Sequence, residues 1–357
     1  MIYFDYAATT PLSASAFNIY KDINVNYYYN SESLHAGGDI AKDIHNNCES
    51  ALNNYFTDNF TVITTSSGSH ANEIAIQNYL HKTDKRTVVL SRYEHPSVLA
   101  ALYPYEDIYY YFIPEYKDGT LNLNALSNYI EEHYNEIALI TAQHVNSETG
   151  YILPVEKIGH IAAQYHIPFH VDCVQSAAKL NIPTHVMTSL AISGHKFFGP
   201  KGVGALLIRD DELHIRNPYL HHEQAMRNGT VDIGALAAMT TALTEYPDTD
   251  LYPMKQKMMS QLNRDRFHPI IFNEQAPHII PLLCRQEGQV IMQKLSQKDI
   301  LISTGTACGH GTMHSKALES LIMQQGYSIH QFIRISISPL TTDADINALI
   351  CALSEME

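Results

Sequence analysis

Positive charge is the scarce commodity in this chain: 23 Lys and Arg stand against 37 Asp and Glu, a formal net charge of −14. A general nucleic-acid-binding surface must neutralise phosphates with basic side chains, so that class is excluded. Cysteine is sparse as well. The five, Cys48, Cys173, Cys284, Cys308 and Cys351, are odd in number and show no CxxC spacing. This argues against a disulfide framework or structural zinc and fits a reducing cytoplasm. The 20 histidines are scattered without an HExxH, so no metal site is expected. No apolar run approaches the roughly 20 residues of a spanning helix. Met1-Ile2-Tyr3-Phe4-Asp5 lacks the basic and apolar regions of a signal peptide, and a cytoplasmic location with no membrane contact is expected. Internal repeats and low-complexity segments are absent too.

What is present is an alternation of strands and helices. Apolar runs at Thr61–Thr65, Thr87–Leu90, Ile108–Ile113, Ile137–Ile140, Pro168–Val171, Leu190–Ile192 and Val203–Ile208 read as strands. Helical spacing between them (Leu123, Leu126, Ile130; Val155, Ile158, Ala162, Tyr165) predicts an α/β fold, a mainly parallel sheet sandwiched by helices. From about Tyr252 the pattern becomes α+β, and the N-terminal strand is expected to return to it. The predicted division is a large domain over 16–250 and a smaller one from 1–15 and 251–357. Asn30 to Gly38 reads as a polar loop before a helix from about Ile40.

Ligand sites in such sheets gather where strands end. His95, Asn146, Asp172 and Lys196 all follow predicted strands. Lys196 lies in Ser193-Gly194-His195-Lys196, a small-residue turn between two buried strands, where it is either a solvated loop lysine or an amine presented to a carbonyl ligand. Ser66-Ser67-Gly68-Ser69-His70 opens a helix and offers backbone N–H groups to an anion, or is a plain cap. Asp172 is one helical turn before Gln175. A strand-end carboxylate, an amide and a loop lysine suit pyridoxal phosphate, whose ring nitrogen needs an acid partner and whose aldehyde needs an amine.

Together with Phe4-Asp5-Tyr6-Ala7-Ala8-Thr9-Thr10, Glu94-His95, Asn146-Ser147-Glu148-Thr149-Gly150, His170 to Ser176, Arg227-Asn228-Gly229-Thr230 and Ser303 to Cys308, the chain resembles cysteine desulfurases of the NifS/IscS type. These are fold type I enzymes of the class V aminotransferase family. The resemblance implies that Lys196 carries pyridoxal 5′-phosphate, that His95 stacks on its ring, and that Asp172 and Gln175 meet the ring nitrogen and phenolic oxygen. It implies Gly68, Ser69, Ser193 and His195 as the phosphate cradle, with Thr230 reaching the phosphate of a neighbouring subunit in a homodimer. Asn146 and Arg334 would hold the substrate carboxylate. Cys308, among Gly305, Gly309 and Gly311, would take sulfur from L-cysteine as a persulfide and leave L-alanine. Cys284 and Cys351, within apolar runs, read as structural.

A sulfur-acceptor protein is implied as partner. The C-terminus at Glu357 has no extended tail of the kind some relatives use for a scaffold, so tRNA thiolation or a thiamine pathway is expected as readily as iron–sulfur assembly. The alternatives are a class V aminotransferase, a selenocysteine lyase or a degenerate regulatory copy. The Gly-rich setting of Cys308 opposes plain transamination, and the intact chemical positions oppose degeneracy. Departures from the family pattern are His70, Asp39, His221-His222-Glu223 and Ser338-Pro339.

Overall fold

The structure is a computed structural model that describes residues 1–214, 219–220, 222–305 and 314–356. In chain order its elements begin with β1 (Ile2–Tyr3), α1 (Ala14–Asn26), α2 (Ala36–Phe56), β2 (Thr61–Thr65), α3 (Gly68–Lys82), β3 (Thr87–Leu90) and α4 (Pro96–Leu102). Next come β4 (Tyr109–Phe112), α5 (Leu123–His133), β5 (Ile137–Gln143), α6 (Val155–Gln164), β6 (Phe169–Asp172), β7 (Ser189–Ser193), β8 (Gly204–Ile208) and α7 (Ile233–Thr244). The chain finishes with α8 (Tyr252–Gln261), β9 (Phe267–Pro269), β10 (Ile279–Cys284), α9 (Gly288–Ser296), β11 (Ile300–Leu301), α10 (Lys316–Gln324), β12 (Phe332–Ser336) and α11 (Asp343–Ser354).

Among the described residues, seven strands form the central sheet in the order β2-β8-β7-β6-β5-β3-β4. Only β8 runs against the others, pairing antiparallel with both β2 and β7. The expected α/β fold with a mainly parallel sheet is what the structure has. Every residue of β5 is buried, because helices cover both faces of the sheet. Alternation along the strands divides the core: Val88, Leu90 and Ala191 pack with α3 and α4, whereas Val89, Leu190 and Ile192 face the cluster built with α1, α2, α5, α6 and α7.

The C-terminal part carries a three-stranded antiparallel sheet, β12-β10-β9, with its own apolar cluster. The N-terminal strand does return to this part. β1 pairs with β11 in parallel, and Phe4, fully buried, packs in that cluster. No helix of the described residues is long and apolar enough to cross a membrane.

Two readings change. The segment expected as a loop up to Gly38 is already helical from Ala36, with the His35 side chain accepting from the Gly38 N–H. Gly38 is required there because a Cβ would meet the Ser33 carbonyl oxygen at 1.9 Å. Cys284 is buried in β10, but Cys351 lies on the exposed face of α11 beside Glu355. An apolar run in a helix has a wet face too, and membership of the run does not tell which face Cys351 takes.

Candidate active site

The parallel strands all end on one edge of the sheet, and that edge holds a cavity of about 260 Å³. Its lining brings together Gly68, Ser69, His95, Asp172, Gln175, Ser193, His195, Lys196 and Arg334, residues singled out from five separate stretches of sequence. Asp172 is the last residue of β6 and Ser193 the last of β7, and the single turn after β7 presents His195 and Lys196.

Lys196 Nζ donates to the carbonyl oxygens of Ala7 and Ala8, each at 2.8 Å, so the N-terminal segment forms one wall. Gln175 Nε2 donates to the same Ala7 oxygen at 2.8 Å and leaves its Oε1 buried without a partner. Asp172 takes Asn72 Nδ2 on Oδ2 at 2.9 Å and the Val174 N–H on Oδ1 at 2.9 Å. His95 caps α4: its Nδ1 accepts the Ser97 N–H at 3.1 Å and meets Ser97 Oγ at 2.8 Å. A backbone donor on Nδ1 assigns the proton of the neutral ring to Nε2.

On the anion side, α3 starts with Ser67 as cap, which leaves the first-turn N–H groups of Gly68 and Ser69 at the positive end of a 15-residue helix. Gly68 must be glycine, since a Cβ would sit 2.5 Å from Val174 Cγ2. Ser193 Oγ is buried with no partner. Burial and the nearby ammonium groups of Lys196, Lys201 and Lys179 push His195 down to about 4, so its imidazole is neutral at physiological pH. Its Nδ1 lies 3.1 Å from Thr9 Oγ1.

Arg334, 1 % exposed, donates from Nη1 to the Ser147 carbonyl at 2.9 Å and from Nη2 to Asp5 at 2.7 Å. Its Nε is buried and unpaired. Gln143, Gln175, Ser193 and Arg334, which all line this one cavity, each also carry a buried side-chain atom without a partner. Buried polar groups are normally satisfied, and an exception at a concave site marks where a polar ligand belongs. The donor set of a helix N-terminus, a serine, an acid and an amine fits pyridoxal phosphate.

Two expected residues, Asn146 and Thr230, are not brought to this cavity. Asn146 is 1 % exposed, and its amide is spent on a turn: Oδ1 accepts from Glu148 N, Thr149 N and Thr149 Oγ1, and Nδ2 donates to the Tyr93 carbonyl. It holds the turn that presents Ser147 and lines an adjoining cavity instead. Thr230 is exposed and does not line its own chain's cavity. Cys308 lies outside the described residues, as does His221. Of the departures from the family pattern, His70, Asp39, His222, Glu223, Ser338 and Pro339 do not line the cavity.

Sequence reading missed Asn72, Ser97 and Gln143. Asn72 and Gln143 are polar residues at apolar-facing positions, which was the available signal. Glu94 was named only as part of the Glu94-His95 motif and given no role; its buried carboxyl accepts from Ser91 Oγ and the Gln143 N–H and is pushed up to about 8 by burial.

The aminotransferase class-V family matches residues 2–349. A NifS protein of Halalkalibacterium halodurans, described as a candidate cysteine desulfurase, is 31% identical, the match covering 100% of this chain and 98% of that one. Its Bacillus subtilis counterpart is 32% identical over 98% and 93%. Among solved structures, a NifS-like protein superposes with a TM-score of 0.86 at 22% identity, over 99% of this chain and 98% of its own. SspA in complex with cysteine gives 0.79 at 25% identity, over 96% and 100%. Similarity that runs through nearly the whole of both lengths, with the sheet edge arranged as above, leads to one conclusion: the chain belongs to the aminotransferase class-V family.

Proposed function

We propose that this protein is a pyridoxal-phosphate-dependent L-cysteine desulfurase, giving L-alanine and a persulfide on Cys308. The observation that carries the reading is the convergence of Lys196, Asp172, His95, Ser193 and Arg334 on one cavity whose polar lining is left partly unpaired. Pyridoxal phosphate, when bound, supplies an aldehyde for amine capture and an electron-poor ring that stabilises charge at the substrate α-carbon.

Lys196 Nζ, held by Ala7 and Ala8, is the amine at which that aldehyde is captured and the base for the α-proton. Asp172 keeps a proton on the ring nitrogen. Gly68, Ser69, Ser193 and His195 grip the phosphate. Arg334 keeps Nε–H and spare Nη hydrogens for the substrate carboxylate, and the Ser147 and Asp5 contacts fix the plane of its fork. His95, whose Nδ1 is occupied by the Ser97 N–H, would lie against the bound coenzyme with Nε2 as its proton-carrying atom. Cys308 as thiolate attacks the substrate sulfur: an S–S bond forms, the C–S bond breaks, and the carbon keeps the electron pair and takes a proton.

Several further statements belong to this reading. The large and small domains divide at 16–250 against 1–15 with 251–357. A homodimer is supported by Thr230, exposed and not part of its own chain's cavity lining, and by exposed Tyr28 and Leu34. The cytoplasm is supported by the described cysteines Cys48, Cys173, Cys284 and Cys351, all free thiols. The acceptor is a sulfur-carrying protein of tRNA thiolation, thiamine or iron–sulfur assembly.

The test uses Cys308→Ala. The variant should keep bound coenzyme and bind cysteine, yet form neither persulfide nor alanine. Alanine at the wild-type rate would defeat the mechanism, and alanine from selenocysteine alone in the wild type would change the substrate.

A further inference from the structure

Asn72 is buried on α3, 1 % exposed, and no part of the reading above uses it. Its two Nδ2 hydrogens are both placed, one on Asp172 Oδ2 at 2.9 Å and one on Ser97 Oγ at 3.0 Å. Its Oδ1 meets His170 Nε2 at 3.0 Å. An amide oxygen can only accept, so the His170 proton is on Nε2. Full burial lowers His170 to about 3 and keeps the ring neutral, so its Nδ1 is an acceptor, 2.8 Å from Ser189 Oγ. The Ser189 hydroxyl must then donate to His170, and Tyr79 OH lies behind it with its single hydrogen between Ser189 Oγ at 3.0 Å and Thr188 Oγ1 at 2.9 Å.

Every donor from Ser189 onward points the same way: Ser189 to His170, to Asn72, to Asp172. Asp172 receives hydrogens on both oxygens, the second from the Val174 N–H. A protonated Asp172 would leave Asn72 Nδ2 facing a hydroxyl, or would require the whole chain to reverse. Hydrogen bonds donated to the charged form favour that form, and inside a dry network they reinforce one another.

We infer that Asn72 is a positioning residue: relaying the one-way donor chain from His170, it locks Asp172 as an aimed carboxylate and so fixes the proton on the nitrogen of the bound ring. The inference rests on the pyridoxal-phosphate reading. Its consequence is that the electron-accepting power of the coenzyme is set one residue behind the residue that touches it.

The experiment loads full-length protein with pyridoxal phosphate labelled with ¹⁵N in the ring and reads the nitrogen shift and the dissociation constant. Wild type should show a protonated ring nitrogen. Asn72→Ala and the isosteric Asn72→Asp, which sets two carboxylates face to face, should bind at least about tenfold more weakly and lose the ring proton. Asn78, equally buried on α3 but bonded to the Glu212 carbonyl and the His214 N–H, is the control. Asn78→Ala should lower the melting temperature and leave the ring proton in place. Asn72 variants with wild-type affinity and a protonated ring overturn the inference and leave the proposed function standing, whereas wild-type protein that takes up no label overturns both. A check needing no variant is ¹⁵N-histidine labelling of the wild type: a proton on His170 Nε2 is expected, and one on Nδ1 would overturn the relay.

Discussion

Glu148 Oε1 and His314 Nδ1 lie 2.8 Å apart with both side chains almost wholly out of solvent. The second Glu148 oxygen accepts the Ser315 N–H at 3.0 Å. The acid thus ties the turn after β5 to the first described residues beyond Cys308. Removing the charge while keeping the shape isolates this tie. Glu148→Gln should cost about 1–3 kcal/mol in urea unfolding, the range for hydrogen bonds to a charged group. It should also slow persulfide formation on Cys308 more than it weakens coenzyme binding. A variant that is destabilised but forms persulfide at the wild-type rate would make the contact purely structural.

Glu94 gives a pH prediction. Its carboxyl is protonated in the folded chain up to about pH 8 but ionises near 4.5 once unfolded. Between those values the folded state holds the extra proton, so this group's contribution is fully present below about 4.5 and fades as pH rises toward 8. The slope is at most about 1.4 kcal/mol per pH unit. Glu94→Gln, neutral throughout, should therefore gain stability relative to wild type as pH goes from about 5 to 8. Parallel stability curves for the two proteins would show that burial does not hold this proton.

Arg334 separates substrate binding from coenzyme binding. Arg334→Lys replaces a planar fork with a point charge that cannot serve Ser147, Asp5 and a carboxylate together. KM for cysteine should rise about 10- to 100-fold while the coenzyme stays at full occupancy. Loss of coenzyme with an unchanged KM would place the guanidinium in the wrong role.

Much of the site was legible because chemistry-bearing residues in an α/β chain fall just after apolar runs, and the run alone locates them at the sheet edge. His95, Asp172 and Lys196 were all found that way. Asn146 shows where the rule stops: position after a strand is readable, but whether an amide points into a cavity or folds back on its own turn depends on backbone angles that composition does not encode. The helix start at Ala36 was hidden for a related reason. Gly37 and Gly38 read as loop residues, yet Gly38 is there because the Ser33 carbonyl packs against the helix too closely for any side chain. Asn72 and Gln143 gave only the signal of a lone polar residue in a helix or an apolar strand, which carries no sign of its partners.

The most direct measurement is chemical trapping at Lys196. Purified protein incubated with pyridoxal phosphate, reduced with borohydride and digested should yield a peptide bearing the pyridoxyl mass on Lys196. Lys196→Ala should lack that mass together with the visible absorbance and all turnover. A label distributed over surface lysines, or a Lys196→Ala protein that still turns over cysteine, would contradict the account.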